Sequence, residues 1–272
     1  TKVVLPEQAP PVNTIFIGYS YFISETIVTD SRLEYRAVKT SIHSFVCYHE
    51  IMQYFTQDYI DFLTELAFNN EKGWFDKNRK RYEQSVREPF KTFTQLMIDE
   101  IYKFDPSIGN LQPKDVMFRI NRDVRFAKDK TPYNTWLSAA IIQGGKRHSD
   151  QNPGYYFRFA VDKVSIGGGI FSPSKETLQA IRTKIAANPE QLHKIIDTKG
   201  FKSTWGEVKG DENKIIPKQF KSAAQSEPLL RKKSFTYWIE LSENEVLRED
   251  LLEWIIGFFK SGSQLNHYLG SE

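Results

Sequence analysis

The densest group of chemically capable side chains is Arg119-Ile120-Asn121-Arg122-Asp123-Val124-Arg125-Phe126-Ala127-Lys128-Asp129-Lys130-Thr131-Pro132-Tyr133. Five cations fall within twelve residues, opposed only by Asp123 and Asp129. On an extended strand Arg119, Asn121, Asp123 and Arg125 share one face, because side chains alternate sides. Two guanidiniums on that face can grip a planar or tetrahedral oxyanion through paired hydrogen bonds. Asp123 would brace one of them, and Lys130 and Tyr133, across a turn, would close the site. Arg122 has the opposite parity, so it joins only if a turn or bulge interrupts the strand near Asn121–Asp123; such a break is expected. A tyrosine titrates near ~10 and an aspartate among arginines stays ionised. The group therefore suits binding better than proton transfer. The competing reading is a solvated basic strand with surface ion pairs.

Three further stretches have a chemical and a plain structural reading each. In Asn69-Asn70-Glu71-Lys72-Gly73-Trp74-Phe75, Lys72 offers a cation and Trp74 a stacking wall; otherwise this is a turn whose aromatics complete the core. Gly167-Gly168-Gly169, before Phe171-Ser172-Pro173, could present backbone amides to an anion at a helix start, or could permit close backbone packing. Gly154-Tyr155-Tyr156-Phe157-Arg158-Phe159 partly matches an RNA-stacking strand but lacks its leading cation and second small residue; alternating aromatics otherwise belong to a core. Phosphate-loop, dinucleotide and nucleophile-elbow patterns are absent. His148-Ser149-Asp150 is adjacent in sequence and cannot converge as a triad, so it reads as a polar loop. With five scattered histidines and the single Cys47, no metal, cofactor or internal disulfide is expected.

These groups must be positioned by regular elements. Thr56 can cap a helix with apolar positions Tyr59, Phe62, Leu63 and Leu66, ending near Asn69-Asn70. Tyr82, Val86, Phe90, Phe93, Met97, Ile101 and Phe104 form one stripe of a second helix over 78–104, which Pro89 should kink or split. The period then changes to two. Strands are expected over Phe118–Phe126, Trp136–Ile142, Tyr155–Val161, Val164–Ile170 and Phe235–Leu241, with a hairpin at Asp162-Lys163. Ser172 with Pro173 should open a helix that turns Leu178, Ile181 and Ile185 inward. A short helix over Glu190–Asp197 follows, and 198–233 reads as loops. A last helix runs from Ser242 to about Tyr268. Helices at both ends around a run of strands imply α+β, a central antiparallel or mixed sheet flanked by N-terminal and C-terminal helices.

The 272 residues are 40% hydrophobic and 26% charged, which excludes a disordered or fibrous chain. No apolar run approaches the ~18 residues of a membrane span, so a cytoplasmic protein without a membrane partner is expected. Net charge is +3. That permits an anionic ligand and at most weak nucleic-acid binding. Residues 1–51 contain no Met and lack a helical pattern, although Thr14–Ile23 could form a strand. The expectation is an extension over 1–51 and a single domain over 52–272, starting at Met52.

Several of these stretches occur in order: Phe62-Leu63, Asn69 to Phe75, Arg79, Tyr82, Arg87-Glu88-Pro89-Phe90, Arg119 to Tyr133, Gly154-Tyr155-Tyr156, Gly167-Gly168-Gly169 and Ile181-Arg182. Together they resemble the hypothetical-protein family called domain of unknown function 2461, found in bacteria and fungi, from about Phe55 to Leu269. The resemblance brings no established activity. It implies that Lys72, Trp74, Arg119, Arg122, Asp123, Arg125, Lys130, Pro132 and Tyr133 occupy family motif positions. The expected function is an arginine-lined site for a phosphate- or carboxylate-bearing small molecule. The alternatives are a nucleic-acid-binding protein, or a structural or partner-binding module with a buried ion-pair network.

Overall fold

The computed structural model describes residues 53–270. The expectations for residues 1–51 and for a start at Met52 lie outside the described residues.

Helix α1 (Gln57–Phe68) buries the four apolar positions of its stripe, and Ile60 with them. Thr56 occupies its N-cap position but its side chain makes no capping bond. After α2 (Lys72–Lys77) the chain stays helical from Arg79 to Phe104. The helical run continues through Pro89 unbroken. A π-helical stretch, Tyr82–Arg87, leads into α3 (Glu88–Phe104), whose second residue is the proline. Proline lacks an N–H and crowds the turn before it; a wider turn accommodates both defects.

Strands β1 (Trp136–Ile142), β2 (Gly154–Ala160), β3 (Val164–Ile170) and β4 (Phe235–Leu241) form one antiparallel meander in the order β1-β2-β3-β4. The fold is α+β. One face of the sheet is the core face. Leu137, Ala139, Ile141, Tyr155, Phe157, Phe159, Val164, Ile166, Phe235 and Tyr237 all point to it and are buried. Phe55, Phe90 and Phe93 pack edge-on or tilted against Phe157 and Phe159.

The expected strand over Phe118–Phe126 is not formed. Only isolated bridges occur, Met117 with Ala139 and Asn121 with Tyr133. Backbone bonds from Phe118 to Ser138, Arg122 to Pro132 and Asn134 to Ile120 make these bridges, and side-chain contacts hold the segment between them. Helix α4 (Lys175–Ala187) begins two residues later than Ser172 and Pro173 imply, because Ser174 accepts the Thr177 amide. Asn188 caps α5 (Pro189–Ile196) in the same way. Within the stretch expected to be loops, α6 (Lys199–Trp205) is helical, capped by Thr198 and buried through Phe201 and Trp205. The final helix α7 (Leu251–Leu269) begins later than expected because Ser242 caps a separate 3₁₀ turn, Glu243–Leu247.

Helix α7 lies along β3 and ties three strands together. Its Asn266 accepts from the Gly169 amide at 3.0 Å and from the Tyr237 hydroxyl at 3.1 Å, and donates to the Gly154 carbonyl at 3.1 Å. A Cβ on Gly168 or Gly262 would run into the Tyr237 ring. Gly168, the middle glycine of the run in β3, therefore serves close packing on the core face. No helix among the described residues is long and apolar enough to cross a membrane.

Candidate functional site

The segment 119–133 is shaped by its own carboxylates. Arg122 reaches Asp129 at 2.5 Å and also donates to the Thr131 hydroxyl and carbonyl. The Thr131 amide, followed by Arg122, pulls the Asp129 carboxyl down to about 2. Arg125 grips Asp123 through Nε at 2.9 Å and Nη2 at 2.7 Å, and both side chains are exposed. These bonds, with a smaller effect of the Arg119 charge, hold the Asp123 carboxyl below the usual range. Lys130 Nζ donates to the Val124 carbonyl at 3.0 Å. Arg119 is exposed.

Tyr133 is buried, its ring stacked on Phe75 at 4.0 Å. The Asn70 side chain accepts from the Tyr133 amide at 3.0 Å and donates to its carbonyl at 2.8 Å. The two motifs, 69–75 and 119–133, therefore meet, and they meet as a packing seam. Lys72 is exposed at the start of α2, and Trp74 lies half-buried against Phe62. None of Lys72, Trp74, Arg119, Arg122, Asp123, Arg125, Lys130 and Tyr133 lines the cavity on the other face of the sheet.

That cavity has a volume of about 530 Å³ and occupies the face opposite the helical core. Strand register arranges its floor and walls in cross-strand rows. One row is Ala140, Tyr156, Gly167 and Trp238. The next is Ser138, Arg158, Ser165 and Glu240. On the other side of the aromatic row come Ile142, Gly154, Gly169 and Thr236. Phe118 and Phe171 contribute from outside the sheet. The lining is mostly apolar, and Arg158 and Glu240 are its two charged side chains among the described residues.

Arg158 lies across the polar row. Its Nη2 donates to Ser165 Oγ at 3.1 Å and stands 3.6 Å from Glu240, while its guanidinium sits 5.5 Å from the Trp136 ring centre. Its Nε is buried and without a hydrogen-bond partner. Lys163 holds Glu240 more closely, at 3.1 Å. On the far edge, Lys209 pairs with Thr236 along β4 and sets its ammonium 4.3 Å from the Trp238 ring centre. Among the described residues no group of three or more His, Cys, Asp or Glu could hold a metal ion.

Sequence reasoning missed Arg158, Glu240 and Trp238. Parity is the signal that could have found the first. Tyr156 and Arg158 have the opposite parity to Tyr155, Phe157 and Phe159, so one set must leave the core face.

Residues 58–268 match the model of the conserved hypothetical protein family DUF2461. The chain belongs to that family. The DUF2461 match runs from within α1 to within α7, and so takes in the 119–133 segment, all four strands and the cavity. No curated protein and no solved structure matches the chain. The DUF2461 description carries no activity, so a functional reading rests on the geometry of the site.

Proposed function

We propose that this protein binds a small organic anion, a carboxylate- or phosphate-bearing molecule, in the cavity on the open sheet face, with Arg158 as its anchor. The observation that carries the reading is Arg158 itself, the one cation among the described residues that line a mostly apolar cavity. A guanidinium makes its strongest hydrogen bonds to an anionic group, which Glu240, 3.6 Å away and held more closely by Lys163, supplies only in part. The volume of about 530 Å³ is that of a small-molecule site. Charge supports a ligand carrying a single anionic group. Arg158 and Lys163 face one carboxylate, Glu240, and Asp162 stands off at 3.8 Å in a largely solvated position. One cation among the lining residues is few for a polyanionic backbone, which needs several phosphate contacts.

The test is thermal shift and calorimetry on the full chain with a panel of aromatic and aliphatic carboxylates and phosphate monoesters, beside short RNA and DNA strands. The expected result is stabilisation by at least one anion, rising with its concentration, and its loss in Arg158→Gln. Retained binding in that variant, or binding by neutral compounds alone, would remove the anion reading. Submicromolar binding of the nucleic-acid strands at physiological salt would replace it with the nucleic-acid alternative.

A further inference from the structure

The cavity's second feature is its pair of aromatic walls. Tyr156 on β2 and Trp238 on β4 both pair with the same residue of β3, Gly167. They therefore stand level with each other on the open face, two strand spacings apart, roughly 9.5 Å between backbones. The residue between them has no side chain. A flat ring held in contact with both walls needs about 7 Å between them, so each ring must lean slightly inward to grip it. A Cβ at 167 would strike the Trp238 Cβ and the Tyr237 carbonyl, so glycine is required between the walls, and Gly169, the next residue of β3 on the same face, keeps the floor low beside it.

Two further observations favour an occupied slot. Trp238 is 42% exposed, although it sits in the wall of a concavity. Its outer side is also supported. Lys209 pairs on the edge of β4 away from β3, places its ammonium 4.3 Å from the ring centre and donates to the Trp238 carbonyl at 2.6 Å. The adjacent polar row puts Arg158 about 6.8 Å further along the strands. A carboxylate on the edge of a fused bicyclic ring has its oxygens about 5 Å from the ring centre, and a hydrogen bond of about 3 Å more brings them within reach of that guanidinium.

We infer that the carbon body of the ligand is a flat aromatic ring, sandwiched between Tyr156 and Trp238 over Gly167, with its anionic group directed to Arg158. This rests on the anion reading above and names the class of molecule that reading leaves open. Aromatic faces in contact add attraction beyond the area they bury, so a planar ring gains over a saturated one of equal size and charge.

The experiment compares 2-naphthoate with decahydro-2-naphthoate by calorimetry on the full chain. Naphthoate should bind at least ten-fold tighter. Trp238→Ala and Tyr156→Ala should each abolish most of that preference, Trp238→Phe should keep part of it, and Arg158→Gln should weaken both acids alike. Melting curves of the wall variants close to wild type show that the loss is local. Equal affinity for the two acids, or a preference unchanged in Trp238→Ala, overturns the ring sandwich while leaving the anion site standing. Failure of both acids while another carboxylate or phosphate ester still binds overturns the ring sandwich alone, and failure of every anion tested overturns the two readings together.

Discussion

Asn70 shows how much one side chain can fix. Its carboxamide satisfies both the amide and the carbonyl of Tyr133, a residue 63 positions away, and so sets where the 119–133 segment meets the helical layer. Asn70→Ala leaves two backbone groups at a part-buried seam without partners. The expected cost is about 1–3 kcal/mol for each group that water cannot reach, read as a lower urea midpoint. Arg125→Ala is the useful contrast, because its pairing with Asp123 lies in solvent. No shift in midpoint is expected there. A drop in the Arg125 variant as large as in the Asn70 variant would mean that the exposed clamp, and not the seam, sets the segment's conformation. The brace of Asp123 on a neighbouring arginine was legible, and Arg125 is the one it holds. The pairing of Arg122 with Asp129, seven positions away, was not, because local backbone turns make that choice and alternation alone cannot foresee it.

At the scale of elements, the α5 helix is tied to the turn before β4 by a histidine. His193 Nε2 meets the buried Glu227 at 2.8 Å and its Nδ1 meets Asp197 at 2.9 Å. The Glu227 contact, opposed by burial and helped by Asp197, raises the His193 pKa above the ordinary value near ~6.5. A raised folded-state value means that the protonated form is favoured by folding. The stabilisation is complete below the unfolded pKa and is lost as pH rises through the folded one. Thermal midpoints should therefore fall as pH climbs from about 6 to above the raised value. His193→Gln should flatten that slope. An identical slope in the variant would place the titration elsewhere. The elements themselves were mostly visible in advance. Period-two stretches located β1, β3 and β4 to the residue and β2 to within one, because each is bounded by turn residues. Helix α6 escaped because Gly200 and Gly206 read as loop punctuation. Its two buried aromatics, Phe201 and Trp205, stand at helical spacing and were the available clue.

For the whole molecule, one core runs from Phe55 to Leu269, and the DUF2461 match covers nearly the same span. A chain beginning at Met52 is expected to fold and to melt within about 2 °C of the full chain, a difference of under roughly 1 kcal/mol for a domain of this size. A loss of several degrees would make residues 1–51 part of the domain. The cavity was the least legible feature at this scale. Tyr156, Gly167 and Trp238 come from three strands, and only the register of the finished sheet sets them level. A sequence shows which strand residues share parity. It does not show which residue of a distant strand lies opposite.

The meander also has a consequence for the order of assembly. Strands β1, β2 and β3 follow one another through short connections, whereas β4 arrives only after α4, α5 and α6 have been made. Closing that long excursion costs more chain entropy than zipping a hairpin, and contacts of high sequence separation form late. The wall at Tyr156 can therefore be in place while the wall at Trp238 is still unfolded. If the cavity binds as proposed, a chain emerging from the ribosome would hold Arg158 and Tyr156 well before it could retain an anion, so occupancy of the cavity would report that the last strand has docked.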